Sequence, residues 1–147
     1  MTIQCRPVEN EAILLVTTNT IKRNPLFRNA AYAREAIEVL YRMQELRPFF
    51  LFGFVIMPDH CHLLLLVPAP EKISTVMNRW KMGVAHSIGI GPIWQSHFDA
   101  RTVDDASEAL RYIHNNPMKA GIVETPEQYP WSSASGEWDI HDLDVRS

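Results

Sequence analysis

Two apolar runs joined by a proline-aspartate pair constrain this chain more than any other feature: FFLFGFVIM, residues 49–57, and the stretch from His60 to Val67. The first is almost uninterrupted in its hydrophobicity and too short and aromatic for a helix of its own, so it reads as a buried central strand. Pro58-Asp59 fits the middle of a tight turn, because proline presets the first central dihedral and aspartate tolerates the second. The runs therefore form a hairpin whose second arm begins at His60 and is ended by Pro68-Ala69-Pro70.

The flanking sequence supplies helices and two more strands. Ala12–Thr20 (AILLVTTNT) reads as a first strand after a polar lead-in, and a loop carrying Lys22, Arg23 and Arg28 follows, broken at Asn24-Pro25. From Asn29 to Arg47, Ala33, Ala36, Ile37, Leu40, Met43 and Leu46 recur at three and four, an amphipathic helix capped by Asn29 and stopped by Pro48. Ile73–Ile88 forms a second helix, with Trp80 in the core rather than stacked on a base and with Arg79 and Lys81 exposed beside it. Gly89-Ile90-Gly91-Pro92 is a loop and no dinucleotide fingerprint, since no strand precedes it and no helix opens on it. A further strand lies within Ile93–Val103. Asp104–Asn116 is the last helix, with Asp105 and Glu108 as a capping box, Ala106, Ala109, Leu110 and Ile113 as its buried stripe, and Pro117 as its stop. Beyond it the sequence is turn-rich, with scattered hydrophobes that pack onto the domain. Strand, helix, hairpin, helix, strand, helix is an α+β order and reads as a ferredoxin-like sandwich, an antiparallel sheet with packed helices. We expect one domain over residues 1–136 and an acidic, frayed tail over 137–147.

With 147 residues, 46% of them hydrophobic, the chain is long enough for one real core. Cys5 and Cys61 make no disulfide framework, and no apolar run has membrane length or the layout of a secretory signal, so a reducing cytoplasm is expected. The net charge is -3, but four of the seventeen acids (Glu137, Asp139, Asp142, Asp144) crowd the last eleven residues. The body is thus neutral, and DNA binding would need a local basic groove.

Chemistry gathers on the second hairpin arm. His60 and His62 share one strand face while Cys61 points to the other, which sets two imidazoles side by side as half of a metal site. On the last helix, at about 100° per residue, Tyr112 and Asn116 lie about 40° apart and roughly 6 Å along the axis, on one edge of the apolar stripe. His114 points about 200° away from Tyr112 and does not join them. If that helix packs over the histidine face, Asn116 offers an amide oxygen as third ligand and Tyr112 a phenol beside it. Mg²⁺ or Mn²⁺ suits such a set, with Mn²⁺ the better match to nitrogen, whereas zinc prefers a carboxylate or thiolate. A phenol, whose ordinary pKa is about 10, becomes a usable nucleophile on phosphorus once a cation polarises the phosphodiester. Each part alone is equally compatible with a satisfied polar pair or an ordinary helix tyrosine.

Three ordered blocks carry a resemblance. FVIMPDHCHLLL (54–65), GPIWQSHFDART (91–102) and ALRYIHNNPMKAGIV (109–123) with the later YPWSSA resemble the single-tyrosine HUH transposases, in particular the REP-associated tyrosine transposases; VTTNTIKRNPLF (16–27) resembles their first strand. The resemblance implies a ferredoxin-like fold, metal on His60, His62 and Asn116, and Tyr112 as nucleophile. It further implies single-stranded DNA with a hairpin as substrate, and cleavage to a 5′-phosphotyrosine and a free 3′-hydroxyl. In such transposases the tyrosine helix can serve a partner's metal site, so a homodimer is an open expectation. Cys61 departs from the pattern only by filling its hydrophobic slot with a small thiol. Lys22, Arg23, Arg79, Lys81 and Arg101 are the candidate DNA contacts. Two other functions stay open: a metal-dependent phosphodiesterase using water, and a relative that binds DNA without cutting.

Overall fold

The computed structural model describes residues 12–143. Cys5, the polar lead-in and the last four residues lie outside them. Seven elements follow one another: β1 (Leu14–Thr20), α1 (Ala30–Leu46), β2 (Phe50–Ile56), β3 (His60–Leu66), α2 (Ile73–Ile88), β4 (Trp94–Thr102) and α3 (Ala106–Lys119). The strands form one antiparallel sheet in the order β2-β3-β1-β4, the expected ferredoxin-like α+β sandwich. Asn29 caps α1, its Oδ1 accepting from the amides of Ala31 (2.9 Å) and Tyr32 (3.3 Å), and Asp105 caps α3 by accepting from the Glu108 amide at 3.1 Å.

Alternation along β3 divides the interior. Cys61, Leu63 and Leu65 join Ile37 and Leu40 of α1 and Met77 and Trp80 of α2 on one face of the sheet. Leu64 and Leu66 join Phe52, Val55 and the α3 residues Ala109 and Ile113 on the other. Trp80 is fully buried, as expected, and its indole N–H donates to the Ala36 carbonyl at 2.9 Å.

Three expectations are corrected. The 49–57 strand is buried but is an edge of the sheet, not its centre. Its outer side is closed by the C-terminal segment: Ile56 N–H donates to the Trp131 carbonyl (2.8 Å), Ser133 Oγ accepts from Phe54 N–H (3.0 Å), and Leu51 exchanges bonds with His141 (2.7 and 3.1 Å). The described part of the tail, residues 137–143, is docked rather than frayed: Trp138 donates to the Pro130 carbonyl at 2.8 Å, Tyr41 Oη donates to the Asp139 carbonyl, and His141 docks on β2. Finally, α3 runs through Pro117 to Lys119. So near a helix end proline removes one hydrogen bond only, and its buried ring extends the Ala109-Ile113 stripe while Ala120 N–H bonds the Asn116 carbonyl at 3.0 Å.

Gly53 decides how closely α3 can approach. At a bulge between Leu51 and Gly53, β2 shifts phase, so that Phe52 and Val55 both face α3. A Cβ on Gly53 would come within 2.2 Å of Leu110 Cδ1 and 3.3 Å of Ser133 Oγ. Gly53→Ala is expected to lower stability by about 1–2 kcal/mol through overpacking, which a fall of roughly 2–6 °C in the thermal midpoint would register; an unchanged midpoint would mean that Leu110 yields freely.

Candidate active site

The histidine pair sits where β3 leaves its turn, on the face covered by α3. The two ring centroids are 4.9 Å apart and the planes are tilted by 79°. Each ring is held through Nδ1: His60 lies 2.8 Å from Asp59 Oδ1, and His62 lies 2.9 Å from the hydroxyl of Thr17, its direct cross-strand neighbour on β1. With hydrogen on both Nδ1 atoms, these bonds leave both Nε2 lone pairs free, the arrangement that metal-binding imidazoles use. His62 is 5% exposed. Burial first, and then the neighbouring His60, push its pKa from 6.5 down to about 4, so it is neutral at pH 7. Burial alone would raise the Asp59 pKa, but the hydrogen bond and charge of His60, then Arg23, outweigh it and hold the carboxyl below its usual value.

Tyr112 reaches the same place from α3. Its ring centroid is 5.6 Å from that of His62, with the planes 66° apart, and the side chain is 46% exposed. One chain thus brings tyrosine and histidine together without a second copy. Both line an open cavity of about 770 Å³ whose wall also includes Thr17, Arg101 and Glu108. Asn116 is half-buried one helical turn beyond Tyr112, outside that wall. His114 is turned away as expected, its Nε2 lying 2.7 Å from Ser133 Oγ.

The donor chemistry fits a divalent ion: two imidazoles side by side, each held through Nδ1 so that its Nε2 is the atom left to face a cation. Among the described residues no group of three or more His, Cys, Asp or Glu could hold a metal. A third ligand taken from the described residues would be of another type, such as the amide oxygen of Asn116.

The candidate cations fare differently. Arg101 lines the cavity and is paired with Asp99 at 3.0 Å. Lys22 is exposed. Arg23 is engaged with Asp59 at 3.1 Å. Arg79 lines a different cavity with Pro68 and Pro70, beyond the opposite end of β3 from His60. Lys81 is not exposed as expected: its stem is buried and its ammonium donates to the Gln95 carbonyl at 2.8 Å, because β4 folds over this side of α2. Asp59 and Thr17 were not anticipated as parts of the site. Asp59 looked like a turn residue, although its place immediately before His60 was a usable signal; Thr17 needed the β1-β3 register.

Residues 12–116 match the family model described as "Transposase IS200 like", and the chain belongs to that family. A REP-associated tyrosine transposase of Escherichia coli (strain K12) is 31% identical over 93 residues, 59% of this chain and 55% of the relative; the chain thus spans about half the length of that curated relative. In fold, the chain is similar to a REP-associated tyrosine transposase solved bound to a REP hairpin, with a TM-score of 0.75 and 22% identity over 91% of this chain and 90% of that one. A protein of Deinococcus radiodurans R1, provisionally described as a transposase, gives 0.57 and 20% over 71% and 90%. No helix among the described residues is long and apolar enough to cross a membrane.

The depressed His62 pKa has a measurable consequence in metal-free protein. Unfolding restores the ordinary value of 6.5, so the unfolded chain binds the proton more readily; the stability held by neutral His62 is whole above pH 6.5 and is lost as pH falls toward 4. His114, also lowered chiefly by burial, acts in the same sense. Urea midpoints should fall between pH 7 and pH 4.5, and fall less in His62→Gln; equal losses would place the effect elsewhere.

Proposed function

We propose that this chain cleaves and rejoins single-stranded DNA beside a hairpin, with Tyr112 as the nucleophile. The observation that carries the reading is the meeting, within one chain, of the Tyr112 and His62 rings at 5.6 Å on the wall of an open cavity. The family and the hairpin-bound structural neighbour support the substrate class.

Tyr112 Oη forms a bond to phosphorus as the bond from phosphorus to the 3′-oxygen breaks. The 5′-phosphate is left on the tyrosine, and the departing strand takes up a proton as its 3′-hydroxyl. The half-exposed phenol passes its own proton to solvent. Attack by a 3′-hydroxyl on the phosphotyrosine reverses these steps and joins strands, with the energy of the broken bond retained in the ester. His60 and His62, with Asn116, would hold Mg²⁺ or Mn²⁺, which supplies Lewis-acid polarisation of the phosphodiester. Asp59 and Thr17 fix the ring orientations, and burial of His62 keeps it unprotonated at neutral pH. Arg101, on the cavity wall, and the exposed Lys22 would be the contacts to phosphate.

Incubation with hairpin-bearing single-stranded oligonucleotides and Mn²⁺ should give a protein-DNA adduct on a denaturing gel that Tyr112→Phe abolishes. Cleavage without an adduct would mean that water is the nucleophile, and binding without cleavage that the chain only recognises DNA. Thr17→Val, which keeps the shape but removes the hydroxyl, should weaken Mn²⁺ binding by about tenfold, measured by calorimetry; an unchanged affinity would remove Thr17 from the site. Arg101→Ala should lower DNA affinity and flatten its salt dependence, and a slope equal to that of the wild type would exclude a phosphate contact there.

A further inference from the structure

Between β1 and α1 the backbone does something side chains seldom permit. Lys22 and Arg23, neither of them glycine, have φ values of 54° and 55°. Each such residue costs on the order of 1–2 kcal/mol. The surroundings hold the segment in place: the single Thr20 hydroxyl proton lies within reach of the Asn24 carbonyl (2.7 Å) and the Asp59 carbonyl (3.0 Å), Thr20 N–H donates to the same Asp59 carbonyl (3.0 Å), and Ile21 N–H bonds the Ile93 carbonyl (2.8 Å). This strained turn is tied to the backbone of the residue that precedes His60.

Its outcome is a chain of side-chain contacts. Arg23 Nε and Nη2 both donate to Asp59 Oδ2, at 3.2 and 3.1 Å, while the other carboxylate oxygen, Oδ1, meets His60 Nδ1 at 2.8 Å. As a source of stability the pair counts for little, since the Arg23 side chain is 51% exposed. As a constraint it matters more. A carboxylate gripped on one oxygen cannot rotate, so the imidazole bonded to its second oxygen is fixed as well.

We propose that Arg23 is a positioning residue of the metal site, acting through Asp59 to hold the His60 ring with Nε2 presented beside His62, rather than a contact to DNA. The proposal rests on the metal-site reading above. It also accounts for a turn strained at two successive residues, which a surface phosphate contact would not require.

Arg23→Gly separates the possibilities, because glycine adopts φ near 55° without strain. Mn²⁺ affinity, titrated calorimetrically, should fall about three- to tenfold in Arg23→Gly and about ten- to hundredfold in Asp59→Ala, with Arg23→Lys between Arg23→Gly and the wild type. The thermal midpoint of metal-free Arg23→Gly should be unchanged or raised, and its affinity for a hairpin oligonucleotide in chelator should match the wild type. Unaltered Mn²⁺ affinity, or a loss of DNA affinity in chelator, would overturn the proposal, and so would a lowered metal-free midpoint, which would mark Arg23 as merely structural. Wild-type protein that binds no Mn²⁺ at all would instead defeat the metal-site reading itself.

Discussion

The register between β1 and β3 is the constraint on which the rest depends. Thr17 stands directly opposite His62, and Val16 opposite Leu63. Because side chains alternate, a slip of one residue would turn Cys61, Leu63 and Leu65 toward α3 and bury the histidines among Trp80, Met77 and Leu40. The hydrophobic contrast between the two β3 faces fixes the register, and the register then hands His62 its hydroxyl partner. Packing and site chemistry are in this sense one specification, written twice along seven residues.

Burial gives the site its second property. An exposed imidazole spends part of its time protonated near neutral pH, whereas His62 lies under α3 and is neutral well below it. The same helix that excludes water from His62 leaves Tyr112 half-exposed, with room for a strand to approach through the cavity beside it. A protected imidazole and an accessible phenol are two faces of one helix placement, and that placement is set in part by a missing side chain at Gly53.

Much of this was legible in the sequence. Helices carry their signals locally, so the Asn29 cap, the Asp105 cap and the α2 bounds could be read in place. So could the shared face of His60 and His62, since alternation is a property of the strand alone. What could not be read was set at a distance. β2 looked central because both of its faces are apolar, yet it is an edge closed by residues roughly eighty positions later. Lys81 looked exposed because nothing near it in sequence reveals that Gln95 waits with a carbonyl. Arg23 reads in the sequence as a cation offered to phosphate, and its pairing with Asp59 is visible only in the fold.

The closing of the β2 edge by residues 131–141 has a temporal side. A chain emerging from synthesis exposes His60, His62, Tyr112 and Asn116 well before it exposes Trp131, Ser133 and His141. Until those last residues arrive, the hairpin bearing the histidines presents an apolar strand with unpaired backbone groups, the feature most prone to join the strand of another molecule. Ser133 ends that interval on two fronts at once, since its hydroxyl meets both the Phe54 backbone and His114 on the tyrosine helix. The turn at Ser133–Ser135 thus acts as a latch: it seals the sheet and fastens the helix that bears Tyr112 in the same act.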